Sequence, residues 1–230
     1  MTLESNSWVL EAHWPCSDGG LDLEASHIKV VSLGHEGGIA KGVIDDLESM
    51  GASCTWMDVG RSDFDRTVVD WRSTLSGTHW LILEMSSFGK EAAISSAVGA
   101  AMVFAELEGA KTALVVDERA MMDAERAWGA IVERIRQIGF ISMSADGRDM
   151  IASMEEVDSS EIGGLLRLRG LVSVVAIMDE GSSLVEIHHN LGVEMGSTAF
   201  ENLKLMTASM LAGLPSSKYS SEGVRSSAGI

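Results

Sequence analysis

The stretch IKVVSLGHEGGIAKGVIDDLESMGASCTWMDVG, residues 28–60, decides the fold of this chain. Its first part, with the preceding residue (27–33), is short, apolar and β-branched, which is typical of a buried strand. A glycine-bearing turn follows at 34–38, and the apolar spacing within 43–50 then predicts a helix. Residues 53–59 form a second β-rich run. The stretch therefore predicts a strand–helix–strand unit.

The same alternation continues along the rest of the chain. Further predicted strands lie at 80–85, 112–116, 140–144 and 172–177, predicted helices at 90–108, 124–137 and 199–211, and a hairpin at 179–182 leads to an edge strand at 184–188. This pattern predicts a three-layer α/β fold with a Rossmann-type core, in which helices cover both faces of a mainly parallel sheet. We expect a single domain over residues 1–214 and a flexible Ser/Gly-rich tail over 215–230.

Composition and charge exclude several classes of partner. The 230 residues carry a formal net charge of −17, so the average field of the protein repels polyanions and argues against nucleic-acid binding. Every apolar stretch falls short of the ~20 residues that a membrane span needs. Two cysteines, Cys16 and Cys54, lack CxxC spacing, which predicts a reducing, cytoplasmic setting and no zinc site. His188 and His189 are neighbours on a predicted strand and point to opposite faces, so no metal site is expected.

Two clusters at predicted strand ends are candidate ligand contacts. Gly37 and Gly38 would let a ligand approach the backbone at a helix N-terminus, although such glycines are equally common for steric reasons. Asp117 and Arg119 place a carboxylate and a guanidinium two residues apart. That pair suits a hydroxylated acid, and it suits a surface ion pair equally well.

Residues 37–66 resemble the ribokinase-like (PfkB-type) carbohydrate kinases, and most of all their 2-keto-3-deoxygluconate kinase branch. That family shows a glycine pair, an Ala-Asn pair, a helix ending in Leu-Gly, and a strand leading to Gly-x-Asp-x-Phe-Gly-Arg. In this sequence the positions in register are Gly37, Gly38, Gly51, Gly60, Phe64 and Arg66. The sequence departs from the pattern at two positions, where Gly42 replaces the asparagine and Asp65 replaces the glycine after Phe64.

Two later segments are similar to the same family. VVDERAMMDAERA, residues 115–127, resembles its Asp-x-Asn-x-Arg strand end, and VVAIMDEGSSLV, residues 174–185, resembles a glycine-containing turn of its nucleotide site. The resemblance implies Mg-ATP as a cofactor, although the residues by themselves establish none. It implies a sugar or sugar acid bound near Gly37, Gly38, Asp63, Asp117 and Arg119, and a nucleotide bound near Gly181, Gly196 and Ser197.

Two departures from the family concern its chemistry. The strands that form the family's lid are missing between Arg66 and Val69. The family's Gly-Ala-Gly-Asp motif, which supplies an anion hole and the catalytic base, is matched by MGSTAF at 195–200, which places Thr198 at the aspartate. A threonine cannot act as a carboxylate base near neutral pH. The sequence therefore predicts a homologue of ATP-dependent carbohydrate kinases whose phosphoryl transfer is weakened or lost.

A short-chain dehydrogenase is an alternative interpretation. Gly34 and Gly38 fit its dinucleotide-binding turn, and Asp58 stands where an acid would bind the ribose. The catalytic Tyr-x-x-x-Lys pair of that family is not matched, because the single tyrosine is Tyr219 and Gly223 stands at the lysine position. This alternative therefore predicts a degenerate dinucleotide-binding protein.

A non-catalytic regulatory or interaction subunit is the third alternative. A fold of this kind without its lid leaves a sheet edge and an apolar face uncovered. Pairing with another chain, either a second copy or a different protein, would cover them.

Overall fold

In the computed structural model of this protein, the described residues are 24–61, 64, 67–89, 92–116 and 123–230. Within these residues there is one sheet of eight strands with helices on both faces. The strands are β1 (Lys29–Gly34), β2 (Ser53–Asp58), β3 (Trp80–Glu84), β4 (Lys111–Val116), β5 (Ile138–Ser144), β6 (Val174–Asp179), β7 (Leu184–His189) and β8 (Gly192–Ser197). The three-layer α/β class that the sequence predicts is confirmed.

The sheet has the order β2-β1-β3-β4-β5-β6-β7-β8. Neighbouring strands from β2 to β6 pair in parallel, and β6, β7 and β8 pair antiparallel. The central strands are apolar and almost fully buried because helices cover both of their faces. The expectation that β7 forms the edge of the sheet is wrong, because β8 continues the hairpin and takes the edge position.

Eight α-helices connect or follow the strands within the described residues. They are α1 (Ile39–Ser49), α2 (Trp71–Leu75), α3 (Ala92–Glu108), α4 (Ala124–Val132), α5 (Ala145–Glu155), α6 (Ile162–Gly170), α7 (Leu203–Ser217) and α8 (Ser221–Ser227). None of the helices in the described ranges is both long enough and apolar enough to cross a bilayer.

Alternating side chains of the strands build a separate core on each face of the sheet. On β3, Leu81 and Leu83 pack into the core that α2 to α6 cover, whereas Trp80 and Ile82 pack into the core beneath α1, α7 and α8. The Trp80 indole N–H donates to the Leu211 carbonyl of α7 at 2.8 Å, so its polar group is satisfied inside the core. The two cores fix α1 and α7 on the same face of the sheet.

The C-terminal residues differ from the predicted flexible tail. Helix α7 runs through Pro215 to Ser217, and α8 follows after a short turn. Val224 and Ala228 are fully buried against α7, which accounts for the ordered packing of a segment rich in serine and glycine. The pattern was missed because few apolar residues anchor the segment: besides Val224 and Ala228, only Tyr219 and Ile230 of 216–230 pack, partly buried, against the same core.

Candidate functional site

Polar groups collect where β1, β2 and β3 end, at the carboxyl edge of the sheet. The central group is Glu84, the last residue of β3, whose side chain is only 3% exposed. Four buried apolar residues before Glu84 hold β3 in the middle of the sheet and so fix the position of its carboxylate. In an open α/β sheet this edge is where ligands bind.

The turn between β1 and α1 wraps around the Glu84 carboxylate. Gly37 has a φ of +77°, a conformation that glycine adopts without strain. The Gly38 N–H donates to the His35 carbonyl at 2.8 Å, and a Cβ at Gly38 would overlap Oε2 of Glu84. The predicted glycine pair is therefore required by the shape of this turn, and the structure places it directly against a buried carboxylate.

Glu84 is held by hydrogen bonds from two neighbours. Its Oε1 accepts the His35 backbone N–H at 3.0 Å and the Ser86 hydroxyl at 2.9 Å, and the His35 Nε2 lies 3.9 Å away. On the other side of the His35 ring is Gly60, whose N–H donates to Asp58 Oδ1 at 2.9 Å. We call His35, Asp58, Glu84 and Ser86 the Glu84 cluster.

The predicted nucleotide residues lie in a different setting from the one expected. Gly196 and Ser197 belong to β8, where Gly196 packs against Ile230, and Ser197 is exposed. Gly181 is in the β6–β7 turn, where its N–H donates to Asp179 Oδ1 at 2.9 Å. The pKa of Asp179 is lowered by hydrogen bonds, first from the Ser182 hydroxyl and then from this N–H. These hydrogen bonds stabilise the turn between β6 and β7.

Thr198 is buried and its hydroxyl is fully engaged. The Oγ1 atom donates to the Ala228 carbonyl at 2.6 Å and accepts the Phe200 N–H at 3.2 Å. The expectation that residues 195–200 enter a helix N-terminus is wrong, because 195–197 are strand and α7 begins only at Leu203. In this structure Thr198 therefore ties β8 to the C-terminal segment.

The first turn of α7 is occupied by side chains of the same protein. The Leu203 N–H donates to Glu180 Oε1 at 2.8 Å, and the Leu205 N–H donates to Asn202 Oδ1 at 3.0 Å. Free N–H groups at a helix N-terminus would favour an anion. Here the Glu180 carboxylate already takes that role, and it brings a negative charge to this helix terminus.

Sequence reasoning missed several residues of this edge, and some of the residues that it named are outside the described ranges. Asp63, Asp117 and Arg119 are outside the described residues, so their proposed contacts stay predictions. Glu84 falls within the strand predicted at 80–85, and a carboxylate directly after four apolar strand residues is a signal of a buried acid. Glu180 has no comparable signal, because its role depends on how the hairpin and α7 come together.

The dehydrogenase alternative does not fit the strand order. The dinucleotide-binding fold has the order 3-2-1-4-5-6, whereas here β3 lies on the opposite side of β1 from β2. Tyr219 does contact a lysine, because Lys111 Nζ donates to its hydroxyl at 2.7 Å. Burial raises the pKa of Tyr219 to about 12. That pair lies at the amino end of β4, away from the carboxyl edge. Asp58, the expected ribose-binding acid, accepts a hydrogen bond from Gly60 instead.

Metal ligands do not cluster within the described ranges, where no group of three or more His, Cys, Asp and Glu side chains could hold an ion. His188 and His189 lie on opposite faces of β7, each beside a glutamate. His188 Nε2 contacts Glu186, and His189 Nε2 lies 3.6 Å from Glu194.

Solved structures with similar backbones include carbohydrate kinases. A 2-dehydro-3-deoxygluconokinase from Thermotoga maritima matches with a TM-score of 0.64 and 12% identity, covering 88% of this chain and 91% of that chain. A fructokinase from Xylella fastidiosa with bound ATP matches with a TM-score of 0.62 and 12% identity, covering 90% of this chain and 79% of that chain. The chain has the ribokinase-like fold. A putative ribokinase II from E. coli shares this ribokinase-like fold, with a TM-score of 0.64, 9% identity, and 86% and 90% of the two chains covered.

Comparison of sequences finds no relative of this chain, although comparison of backbones does. No family model matches the chain, and no curated protein matches it. The likeness therefore lies in the backbone, and the chemistry has to be argued from this chain's own residues.

Proposed function

We propose that this protein binds a sugar or sugar acid at the carboxyl edge of β1 to β3 and that its phosphoryl transfer from Mg-ATP is weakened or lost. The carrying observation is the first turn of α7, where Glu180 and Asn202 accept the Leu203 and Leu205 N–H groups. Thr198, which the family resemblance matches to the aspartate, lies between β8 and α7 and offers no carboxylate. In this proposal the protein retains the sugar-binding site of a sugar kinase but not its catalytic groups.

The Glu84 cluster supports sugar binding. The buried Glu84 fixes the turn, and the His35 imidazole and the remaining lone pairs of the Ser86 hydroxyl beside it can hydrogen-bond to the hydroxyl groups of a sugar. The glycine turn brings backbone groups to the same place without side chains that would exclude a ligand. Among the similar structures are a fructokinase and a 2-dehydro-3-deoxygluconokinase, which supports a sugar or a sugar acid as the ligand class.

The α7 terminus supports the loss of transfer. Phosphoryl-transfer enzymes depend on positioned positive groups and N–H donors around the transferred phosphoryl group. In this chain a carboxylate, Glu180, takes one of those donors, and its charge repels a phosphate. The Thr198 hydroxyl has its donor hydrogen committed to the Ala228 carbonyl and cannot accept a proton as a base near pH 7. Binding of Mg-ATP is correspondingly weakened.

Isothermal titration calorimetry with a panel of neutral sugars and sugar acids tests this proposal. We expect a sugar acid to bind, Glu84→Gln to weaken its binding at least tenfold, and Arg119→Ala to weaken an acidic sugar more than a neutral one. The matched control is Arg136→Ala, an exposed arginine before β5 that should leave the affinity unchanged. Absence of heat with every sugar, in protein that melts cooperatively, would remove the binding half of the proposal.

A further inference from the structure

Strand β8 leaves one row of backbone groups without a strand beside it. Its neighbour is β7, and among the described residues no other strand pairs with it. The Thr198 N–H donates to the Ser183 carbonyl at 2.9 Å, which fixes the alternation of the hairpin. Even-numbered residues of β8 therefore bond to β7, and Val193, Met195 and Ser197 direct their N–H and C=O groups to the open edge.

The same residues also expose apolar side chains. Met195 is 66% exposed and Val193 is 51% exposed, and both lie on one face of the hairpin together with Leu184, which is 54% exposed. Natural sheets block such edges with lysine, proline or a bulge. The sequence of β8, GVEMGS, has neither residue, its one charged side chain, Glu194, is paired with Arg225, and its pairing with β7 is regular. This edge therefore has the features of a strand that pairs with another strand.

We propose that β8 pairs antiparallel with β8 of a second copy of this chain, with Met195 on the two-fold axis. In that register Met195 lies opposite Met195 of the second copy, and Val193 lies opposite Ser197. The N–H and C=O groups of all three outward-facing residues then form hydrogen bonds with those of the same three residues in the second copy, so the edge is complementary to itself. The two sheets become one sheet of sixteen strands, and the closed two-fold arrangement leaves no open β8 edge.

The charges on β8 favour this register over its neighbours. Moving the two-fold axis by one residue, from Met195 to Glu194, would place Glu194 directly opposite the same carboxylate of the second copy. With Met195 on the axis, Glu194 lies opposite Gly196, which has no side chain to clash with it. Glu194 also has a cation of its own, because Arg225 lies 3.1 Å from its carboxylate and lowers its pKa by hydrogen bonding.

The net charge of the chain gives the pairing a distinctive salt dependence. Each copy carries a formal charge of −17, so two copies repel each other at long range. Salt screens that repulsion without weakening the backbone hydrogen bonds or the apolar contacts. Association should therefore strengthen as the ionic strength rises, whereas an interface with an oppositely charged partner would weaken. This pairing is independent of sugar binding, because β8 lies at the opposite side of the sheet from β1 to β3.

Sedimentation equilibrium of the full chain over a concentration series tests the pairing. We expect a reversible monomer–dimer equilibrium, a dimer fraction that increases between roughly 0.05 and 0.5 M NaCl as the Debye length shortens, and a monomer for Met195→Lys. The matched control is Leu168→Lys, because Leu168 is 79% exposed on α6, and this variant should dimerise like the parent. A monomer at every concentration, or a Met195→Lys variant that still dimerises, would overturn the proposal.

Cysteine cross-linking tests the register separately. Directly opposed residues of a hydrogen-bonded antiparallel pair have Cα atoms about 5.5 Å apart, which a disulfide can span. The Met195→Cys variant should therefore form a disulfide-linked dimer on mild oxidation. Val193→Cys should not, because the two introduced residues would be offset by four positions, or roughly 14 Å along the strands. The parent chain under the same oxidation is the control for Cys16 and Cys54. Efficient cross-linking through Val193→Cys would contradict the register.

Discussion

Two parts of the same sheet edge, the ends of β1 to β3 and the ends of β6 to β8 with α7, differ in what occupies them. At β1 to β3 a glycine turn folds around the buried Glu84 and leaves His35 and Ser86 beside it. At β6 to β8, Asp179 accepts the Gly181 N–H within the hairpin, and Glu180 accepts the Leu203 N–H in the first turn of α7. Under the proposed function, the turn at β1 to β3 keeps a ligand-binding role, and the hydrogen bonds at the α7 terminus stand in the way of phosphoryl transfer.

The largest effect is expected from Gly38→Ala, which tests the β1 to β3 side. A Cβ at this position would overlap Glu84 Oε2 and approach the His35 carbonyl at 2.9 Å. Overpacking of this kind should lower the free energy of unfolding by about 2–3 kcal/mol in a urea titration. The control is Gly129→Ala in α4, where nothing lies near the new methyl group, so stability should rise by up to ~1 kcal/mol. Equal effects of the two substitutions would show that the turn does not close on Glu84.

The next largest effect concerns the helix that closes the other side. Val224 is fully buried in α8, and α8 leads to Ala228, whose carbonyl holds Thr198. Val224→Ala should cost about 1.5–2.5 kcal/mol of unfolding free energy because it removes two buried methyl groups. Val68→Ala is the control, since Val68 is 77% exposed and its loss should be close to neutral. A neutral Val224→Ala would instead support the flexible tail that the sequence predicts.

Thr198→Val distinguishes a structural threonine from a catalytic one. The substitution keeps the shape of the side chain but removes hydrogen bonds to the Ala228 carbonyl and the Phe200 N–H, so it should cost about 1–2 kcal/mol. The exposed Thr55 of β2 gives the control Thr55→Val, which should melt like the parent. Unchanged stability together with a loss of nucleotide binding or turnover would contradict the internal role of Thr198.

The smallest effect on stability, and the most specific, is expected from Glu180→Ala. The variant frees the Leu203 N–H and removes a negative charge from the α7 terminus, so Mg-ATP affinity should rise about 3- to 10-fold. Unfolding should change by less than about 1 kcal/mol, because Glu180 is exposed. Glu201→Ala removes an exposed carboxylate from the segment that leads into α7 and serves as the control. An equal gain from both variants would point to net charge and not to the α7 contact.

Most of the fold could be predicted from the sequence, and the failures have a common cause. The buried strands and α1 gave clear patterns because helices cover both faces of the sheet and one side of α1 faces the core. The elements missed were α2, α5, α6, β8 and α8. They are short, glycine-bearing or half exposed, so few of their residues follow a period. Their positions depend on tertiary packing, which local patterns do not contain.

The candidate site was predictable only where it depends on local backbone shape. The glycine pair was found because a turn between strand and helix has a recognisable sequence. Glu84 and Glu180 act through contacts 49 and 23 residues away along the chain, so no local pattern indicates their partners. The nucleotide contacts that the resemblance implies at Gly181, Gly196 and Ser197 stay predictions, and the contact of Glu180 with the first turn of α7 is visible only in the structure.

Sugar-dependent ADP release, measured by a coupled assay with the sugar acid that binds best in calorimetry, tests the central claim most directly. Kinases typically turn over at roughly 1–100 s⁻¹. The account predicts saturable sugar binding together with ADP release at less than about a thousandth of that rate. Turnover in the ordinary kinase range by the parent chain would contradict it, because the internal bonds of Thr198 and Glu180 would then not prevent phosphoryl transfer.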